Sequence, residues 1–289
     1  MENATCQLAL SLVEEGPYFL ERGGDAKMKR SESKNRTGDE TLSRLTGFST
    51  GALERGDYRK ALRWLCEHEV DTVEISALRF SELKPLICDL DRLETTSFRY
   101  VSFHAPSSFE PEQEKEVVKL LEPVFQRGWN IVVHPDVIRK PALWRHFGSC
   151  LLIENMDRRK SVGRTVKELV AVFERLPEAK MCLDVAHARQ LDTTLTLLFE
   201  LIRQFQDRIA EIHISELDSH CRHVPMSRCA VNDYRSLPWL KALAVPVIIE
   251  SMLDGGRKDW RTEELSLAKQ ALDRPASPET LAAPVAKAG

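Results

Sequence analysis

Six short apolar runs each end in a residue able to bind a metal ion. In order, YVSFHAP ends on His104, NIVVHPD on His134, LLIENMD on Glu154, MCLDVAH on Asp184 and His187, EIHISEL on His213, and PVIIES on Glu250. Carboxylate oxygens with imidazole nitrogens suit Zn, Mn, Co or Mg, and Fe accepts the same donors. A lone histidine at the end of an apolar run is more often a hydrogen-bonded structural residue than a ligand. Four of them, interleaved with three carboxylates in the same relative place, point to a shared site for one to three divalent ions per chain. His68 and His146, in helical stretches, and His220, in a polar loop, keep the structural reading, and Glu74 is weighed as an acid inside the fold.

The elements that must position these residues follow from the pattern around them. Apolar runs of this length, separated by longer amphipathic stretches, read as buried parallel strands alternating with helices. Strands are expected at Leu45–Thr50, Thr72–Ala77, Tyr100–Ala105, Asn130–Pro135, Leu151–Met156, Met181–Ala186, Glu211–Ser215 and Pro246–Ser251. Helical spacing is clear in ALERGDYRKALRWLCEHEV, EQEKEVVKLLEPVFQRG, TVKELVAVFERLP, TLTLLFELIRQFQDRI and EELSLAKQALDR, and weaker in SELKPLICDLDRL and PALWRHF. Eight such units predict an α/β fold, a (β/α)8 TIM barrel, whose strand ends all face one mouth. An open doubly wound sheet is the competitor, but no G-x-G-x-x-G follows the first strand and no phosphate-binding P-loop is present.

The expected domain limits are a polar tail over 1–43, the barrel over 44–273 and a second tail over 274–289. The first tail passes from a short helical pattern, Gln7–Glu15, into GGDAKMKRSESKNRTGDE, and the second reads RPASPETLAAPVAKAG. Both are too polar or too rich in Pro and Ala to pack. The 289 residues carry 41 basic and 44 acidic side chains, a net charge of -3, so an anionic partner must be held by a local cluster. Seven cysteines without a CxxC pair fit a reducing cytoplasm, with Cys66, Cys150 and Cys182 read as small hydrophobes. No basic leader precedes the first apolar stretch and no run reaches the length of a membrane span, so a cytoplasmic protein without a membrane partner is expected.

The run VEIS with Glu74, followed by SFHAP, VVHP, IENMD, CLDVAHA, IHIS and IIES, resembles the xylose isomerase-like TIM-barrel superfamily over roughly residues 43–273. That superfamily includes sugar phosphate isomerases and epimerases and the endonuclease IV type of AP endonuclease. The resemblance implies that Glu154, Asp184, His213 and Glu250 hold the shared metal. His104 and His134 match two further histidines of the endonuclease IV branch, in which Glu154 bridges two ions. The counterpart of His187 binds a third metal in that branch and contacts substrate in the epimerase branch. The remaining third-metal ligands match Cys221 and His223 of Cys221-Arg222-His223, where the nuclease branch carries Asp-x-His; a soft thiolate replaces a carboxylate there.

A second cluster is basic: Arg79 after the second strand, Arg158, Arg159 and Lys160 after the fifth, and Arg222 after the seventh. Barrel geometry brings these loops to the mouth, where guanidinium forks match phosphate or carboxylate oxygens. The favoured reading is a divalent-metal isomerase or epimerase of a small anionic or polyhydroxylated substrate, a sugar or sugar phosphate. Glu154 or Glu250 would move the proton, with His187 as a further catalytic residue. The alternative is a polynuclear phosphodiester hydrolase, the one reading that requires nucleic acid, and the third is a polynuclear iron oxidase.

Overall fold

The computed structural model describes residues 44–54, 56–253 and 259–272. The tails expected at 1–43 and 274–289, with the helix at Gln7–Glu15, lie outside the described residues. Strands β1 (Thr46–Ser49), β2 (Thr72–Ser76), β3 (Tyr100–His104), β4 (Asn130–Val133), β5 (Leu151–Glu154), β6 (Lys180–Asp184) and β7 (Ile209–Ile214) follow one another around a closed barrel. A small antiparallel hairpin, β8 (Glu216–Leu217) with β9 (His223–Val224), stands beyond β7, and β10 (Val247–Ile249) closes the ring by pairing parallel with β1. All eight expected strands are present. The closure of β1 on β2 requires glycine at position 47, because a Cβ there would lie 1.7 Å from the Thr72 carbonyl oxygen.

The helices are α1 (Thr50–Leu53), α2 (Tyr58–Glu67), α3 (Phe80–Asp89), α4 (Glu114–Gln126), α5 (Pro141–Trp144), α6 (Val166–Arg175), α7 (Val185–Leu191), α8 (Thr196–Phe205), α9 (Arg228–Arg235), α10 (Pro238–Ala242) and α11 (Asp259–Leu272). The pattern read as one helix over 52–70 is broken. Gly56 takes a positive φ of 90° and Asp57 starts α2 afresh by accepting from the Lys60 amide. The strand expected to reach Ala186 stops at Asp184, whose carboxylate caps α7 through the His187 amide. No helix was expected between β7 and β10. There α9 buries only Ala230, Val231 and Tyr234, too sparse an apolar stripe to stand out in sequence. Cys66, expected to be buried, is exposed because α2 turns Ala61, Leu62 and Leu65 inward.

Alternation along the strands separates two environments. One set of positions, Phe48, Val73, Ile75, Phe103, Ile131, Val133, Leu151, Ile153, Met181, Leu183, Ile212, Ile214, Val247 and Ile249, joins the main core between barrel and helices. The opposite set points into the barrel. There the buried apolar residues are few, Val132, Leu152, Cys182 and Ile248, with Ala210 packed against the first three, while Glu74, Ser102, His104, Glu154, Asp184, Glu211 and His213 are buried. Barrels of this type normally fill that space with bulky branched side chains. Among the described residues no helix is long and apolar enough to cross a membrane.

Candidate metal centre

Six strands bring their carboxyl ends to one point. His104 closes β3, Glu154 β5 and Asp184 β6; His134 and Glu250 lie one residue past β4 and β10, and His213 is the penultimate residue of β7. His187 enters from the first turn of α7 and His223 from β9. Their ligand atoms fall into three overlapping groups, each within 4.8 Å: His104, His134 and Glu154; Glu154, Asp184, His213 and Glu250; and Asp184, His187 and His223.

Glu154 is the hinge of this arrangement. Its Oε2 lies 3.1 Å from His134 Nε2 and 3.4 Å from His104 Nε2, while its Oε1 lies 3.6 Å from His213 Nδ1. His213 Nδ1 is also 3.3 Å from Glu250 Oε2, and His223 Nε2 is 3.6 Å from that same oxygen. Glu154 Oε2, Asp184 Oδ2, Glu250 Oε2 and His213 Nδ1 are all buried without a hydrogen-bond partner. Leaving one such atom unsatisfied costs about 1–3 kcal/mol, and four of them aimed at one space are donors that a cation would satisfy. The residues therefore fit divalent metal, with hard oxygens and imidazole nitrogens as its ligands.

Outer hydrogen bonds fix which atom of each imidazole faces the centre. His104 Nδ1 donates to the Ala105 carbonyl at 2.7 Å, leaving Nε2 facing Glu154. His187 Nδ1 donates to the Asn155 carbonyl at 2.8 Å and also lies 3.4 Å from Glu154 Oε1, leaving Nε2 as the ring nitrogen free to bind. His223 Nδ1 is paired with Ser215 Oγ at 2.7 Å. Asn155 also spans β5 and β6, accepting from the Asp184 amide and donating to the Asp184 carbonyl, both at 2.8 Å. Gly163 supports the loop after β5: its carbonyl accepts from the Met156 amide, and a Cβ there would meet Pro135 at 2.5 Å.

Electrostatics follow from the crowding. Burial pushes the Glu154 carboxyl up, but His134, His104 and His213 outweigh it and hold it well below the usual carboxylate range. Glu250 is likewise lowered, against its burial, by His213 and His223. Asp184 goes the other way, raised by burial and by the neighbouring Glu154 and Glu250. His104 is raised to about 9, its burial overcome by Glu74 and Glu154, whereas burial lowers His134.

The remaining site expectations separate. Cys221 is buried at the hairpin turn with φ 59°, and the ligand groups among the described residues do not include it. Besides Glu154 and Asp184, whose oxygens lie 3.4 Å and 3.6 Å from His187 Nδ1, a third carboxylate approaches the ring: Asp157 Oδ2 lies 3.9 Å from His187 Nε2, and Arg159 grips Asp157 through Nε and Nη2. Lys160 ties the mouth loops together, donating to Asp136 at 2.9 Å and to the Ser107 carbonyl at 3.3 Å. Arg158 donates to the Ser219 carbonyl across the mouth. Arg79 and Arg222 are turned to solvent, each paired with a carboxylate of its own segment, Glu82 and Asp218. His68, His146 and His220 are exposed and outside the ligand groups.

Residue-type reasoning missed Asn155, Asp157 and Glu211. The signals were their places: the first two closely follow Glu154, and Glu211 stands two residues before His213, on the same face of its strand.

No protein-family model and no curated protein sequence matches the chain. Solved structures do. A D-tagatose 3-epimerase-like protein matches with a TM-score of 0.56 and 18% identity, over 79% of this chain and 97% of that one. Endonuclease IV from Thermus thermophilus matches with a TM-score of 0.54 and 18% identity, over 79% of this chain and 98% of that one. At 18% identity the likeness shows that this chain shares their barrel fold.

Proposed function

We propose that this chain is a metal-dependent enzyme in which His104, His134, Glu154, Asp184, His213 and Glu250 would hold two divalent ions, Glu154 belonging to both ligand groups, and that it hydrolyses a phosphoester in a small anionic substrate. The observation that carries the reading is the division of Glu154. Oε2 faces His104 and His134, and Oε1 faces the group completed by Asp184, His213 and Glu250. Divalent ions bound there would activate water and neutralise phosphoryl oxygens.

The protein supplies orientation and charge. Carbonyls of Ala105 and Asn155 hold the His104 and His187 rings. Arg159, preoriented by buried Asp157 and about half exposed, offers a fixed guanidinium beside the centre, and Lys160 adds a second cation on the same loop. A small substrate fits better than nucleic acid, because the net charge of -3 gives no overall attraction to a polyanion.

A second reading keeps one specific support. Glu154, Asp184, His213 and Glu250 form a complete four-ligand group by themselves. With a single ion there, Glu154 and Glu250 would be carboxylate bases for an isomerase or epimerase of a sugar or sugar phosphate. Metal analysis of the full-length protein, purified without chelator or nickel, tests the choice alongside turnover of phosphomonoesters, phosphodiesters and ketoses. Two or more ions per chain with phosphoester cleavage support the first reading. One ion with ketose epimerisation supports the second, iron with oxygen uptake the oxidase, and a chain that neither binds metal nor turns over these substrates refutes all three.

A further inference from the structure

Below the ligand layer the barrel interior holds a line of polar side chains. Asn130 and Tyr100 begin β4 and β3, at the rim opposite the ligands. Asn130 Nδ2 donates to the Tyr100 hydroxyl at 2.9 Å, Tyr100 donates to Glu211 Oε2 at 2.7 Å, and His213 Nε2 pairs with Glu211 Oε1 at 3.0 Å. His213 and Glu211 are both 0% exposed. The opposite ring atom, His213 Nδ1, is the unpartnered one at the metal centre.

We propose that Glu211 is a positioning residue: held from below by Tyr100, it fixes the His213 ring with Nε2 protonated and the Nδ1 lone pair directed at the metal centre. The inference deepens the metal-centre reading and rests on it. The direction of the line is set by its ends. The amide nitrogen of Asn130 can only donate, so the Tyr100 oxygen accepts from it and directs its own proton to Glu211. Burial, reinforced by Glu211, pushes the Tyr100 phenol far above its usual value, which keeps that proton in place.

With one oxygen satisfied by Tyr100, the other oxygen of Glu211 is left to accept from the imidazole. Glu74 approaches the same ring atom, its Oε2 3.2 Å from His213 Nε2 and without a partner of its own, so two carboxylates converge on Nε2. A carboxylate behind a ligating imidazole fixes its tautomer and raises its basicity, and losing such a partner costs about 10–100-fold in metal affinity. Cys182 Sγ lies 4.0 Å from Glu211 Oε1, close enough that the same cluster has a rival interpretation as an ion site in its own right.

Cobalt(II) titration of the full-length, metal-stripped protein tests this, read by the visible absorption of the bound ion and by ions bound per chain. Glu211→Gln should weaken the Nδ1-side cobalt about tenfold and shift its band, Tyr100→Phe should weaken it a few-fold, and the number of ions should stay the same. A purely structural role would lower Tm and leave both cobalt readouts alone, so wild-type affinity and spectrum in folded Glu211→Gln overturn the proposal. Cys182→Ser should leave the ion count unchanged; loss of one ion would make the cluster a metal site and overturn the positioning role. If Glu211→Gln does not fold, unchanged cobalt affinity in Tyr100→Phe overturns it. Wild-type protein that binds no cobalt refutes the metal-centre reading as well, which separates that failure from a failure of Glu211 alone.

Discussion

The two faces of the same eight strands obey different rules. Outside the barrel, Phe48 packs edge-on against Trp64 of α2 with ring centroids 5.8 Å apart, and the strand residues around it are uniformly apolar. Inside, one residue away along most strands, carboxylates, imidazoles and hydroxyls are buried beside the few apolar residues Val132, Leu152, Cys182 and Ile248. The outer face is stabilised by area removed from water, at about 25 cal/mol per Å². The inner face holds polar atoms that the fold itself leaves unpaired, such as Glu154 Oε2, Asp184 Oδ2, Glu250 Oε2 and His213 Nδ1, groups that a bound cation would satisfy. Stability lives on one face and the candidate metal centre on the other.

Substitutions that reach one face and spare the other sharpen the contrast. The largest effect is expected for Glu154→Gln, which keeps the side-chain volume but removes the shared carboxylate. Metal affinity, followed as metal retained through gel filtration, should fall by more than about a hundredfold and turnover with it, while the fold persists. Wild-type metal content in that variant would rule out Glu154 as the bridge. Phe48→Ala on the outer face should do the reverse, costing about 3–5 kcal/mol in denaturant unfolding while the folded fraction binds metal as before. Loss of metal in step with loss of stability would show that the two faces are not separable.

A smaller effect concerns pH. In chelator-treated protein, His104 has a folded pKa of about 9, above the unfolded value of about 6.5. Its contribution to stability is therefore complete below about pH 6.5 and disappears as pH rises through about 9. Tm of the metal-free chain should fall across that window. The fall attributable to His104 should vanish with metal bound, since a coordinated Nε2 carries no proton. A metal-free Tm that is flat from about pH 6.5 to about 9 would contradict the charge assigned to this ring. The smallest effect is expected for Cys221→Ser, which lies outside the ligand groups and should leave metal stoichiometry unchanged; a lost ion would restore Cys221 as a ligand.

Much of this was legible in the primary structure, for a physical reason. Strand period and helix period are local properties, so eight apolar runs and most helices could be placed without coordinates. A ligand at the end of a parallel strand is bound to face the barrel mouth once the topology is given. That is why His104, His134, Glu154, Asp184, His213 and Glu250 could be grouped from the sequence alone. Tertiary structure decided what local pattern does not encode. It set which oxygen of Glu154 faces which histidine, turned Cys221 aside at a left-handed hairpin position, placed Asp157 beside His187, and engaged Arg158 and Lys160 with partners from other segments. It also joined Asn130, Tyr100, Glu211 and His213, up to 111 residues apart in adjacent links, into one line. Such contacts depend on strand stagger and side-chain direction across the closed barrel, and these are fixed only when all eight strands are in register.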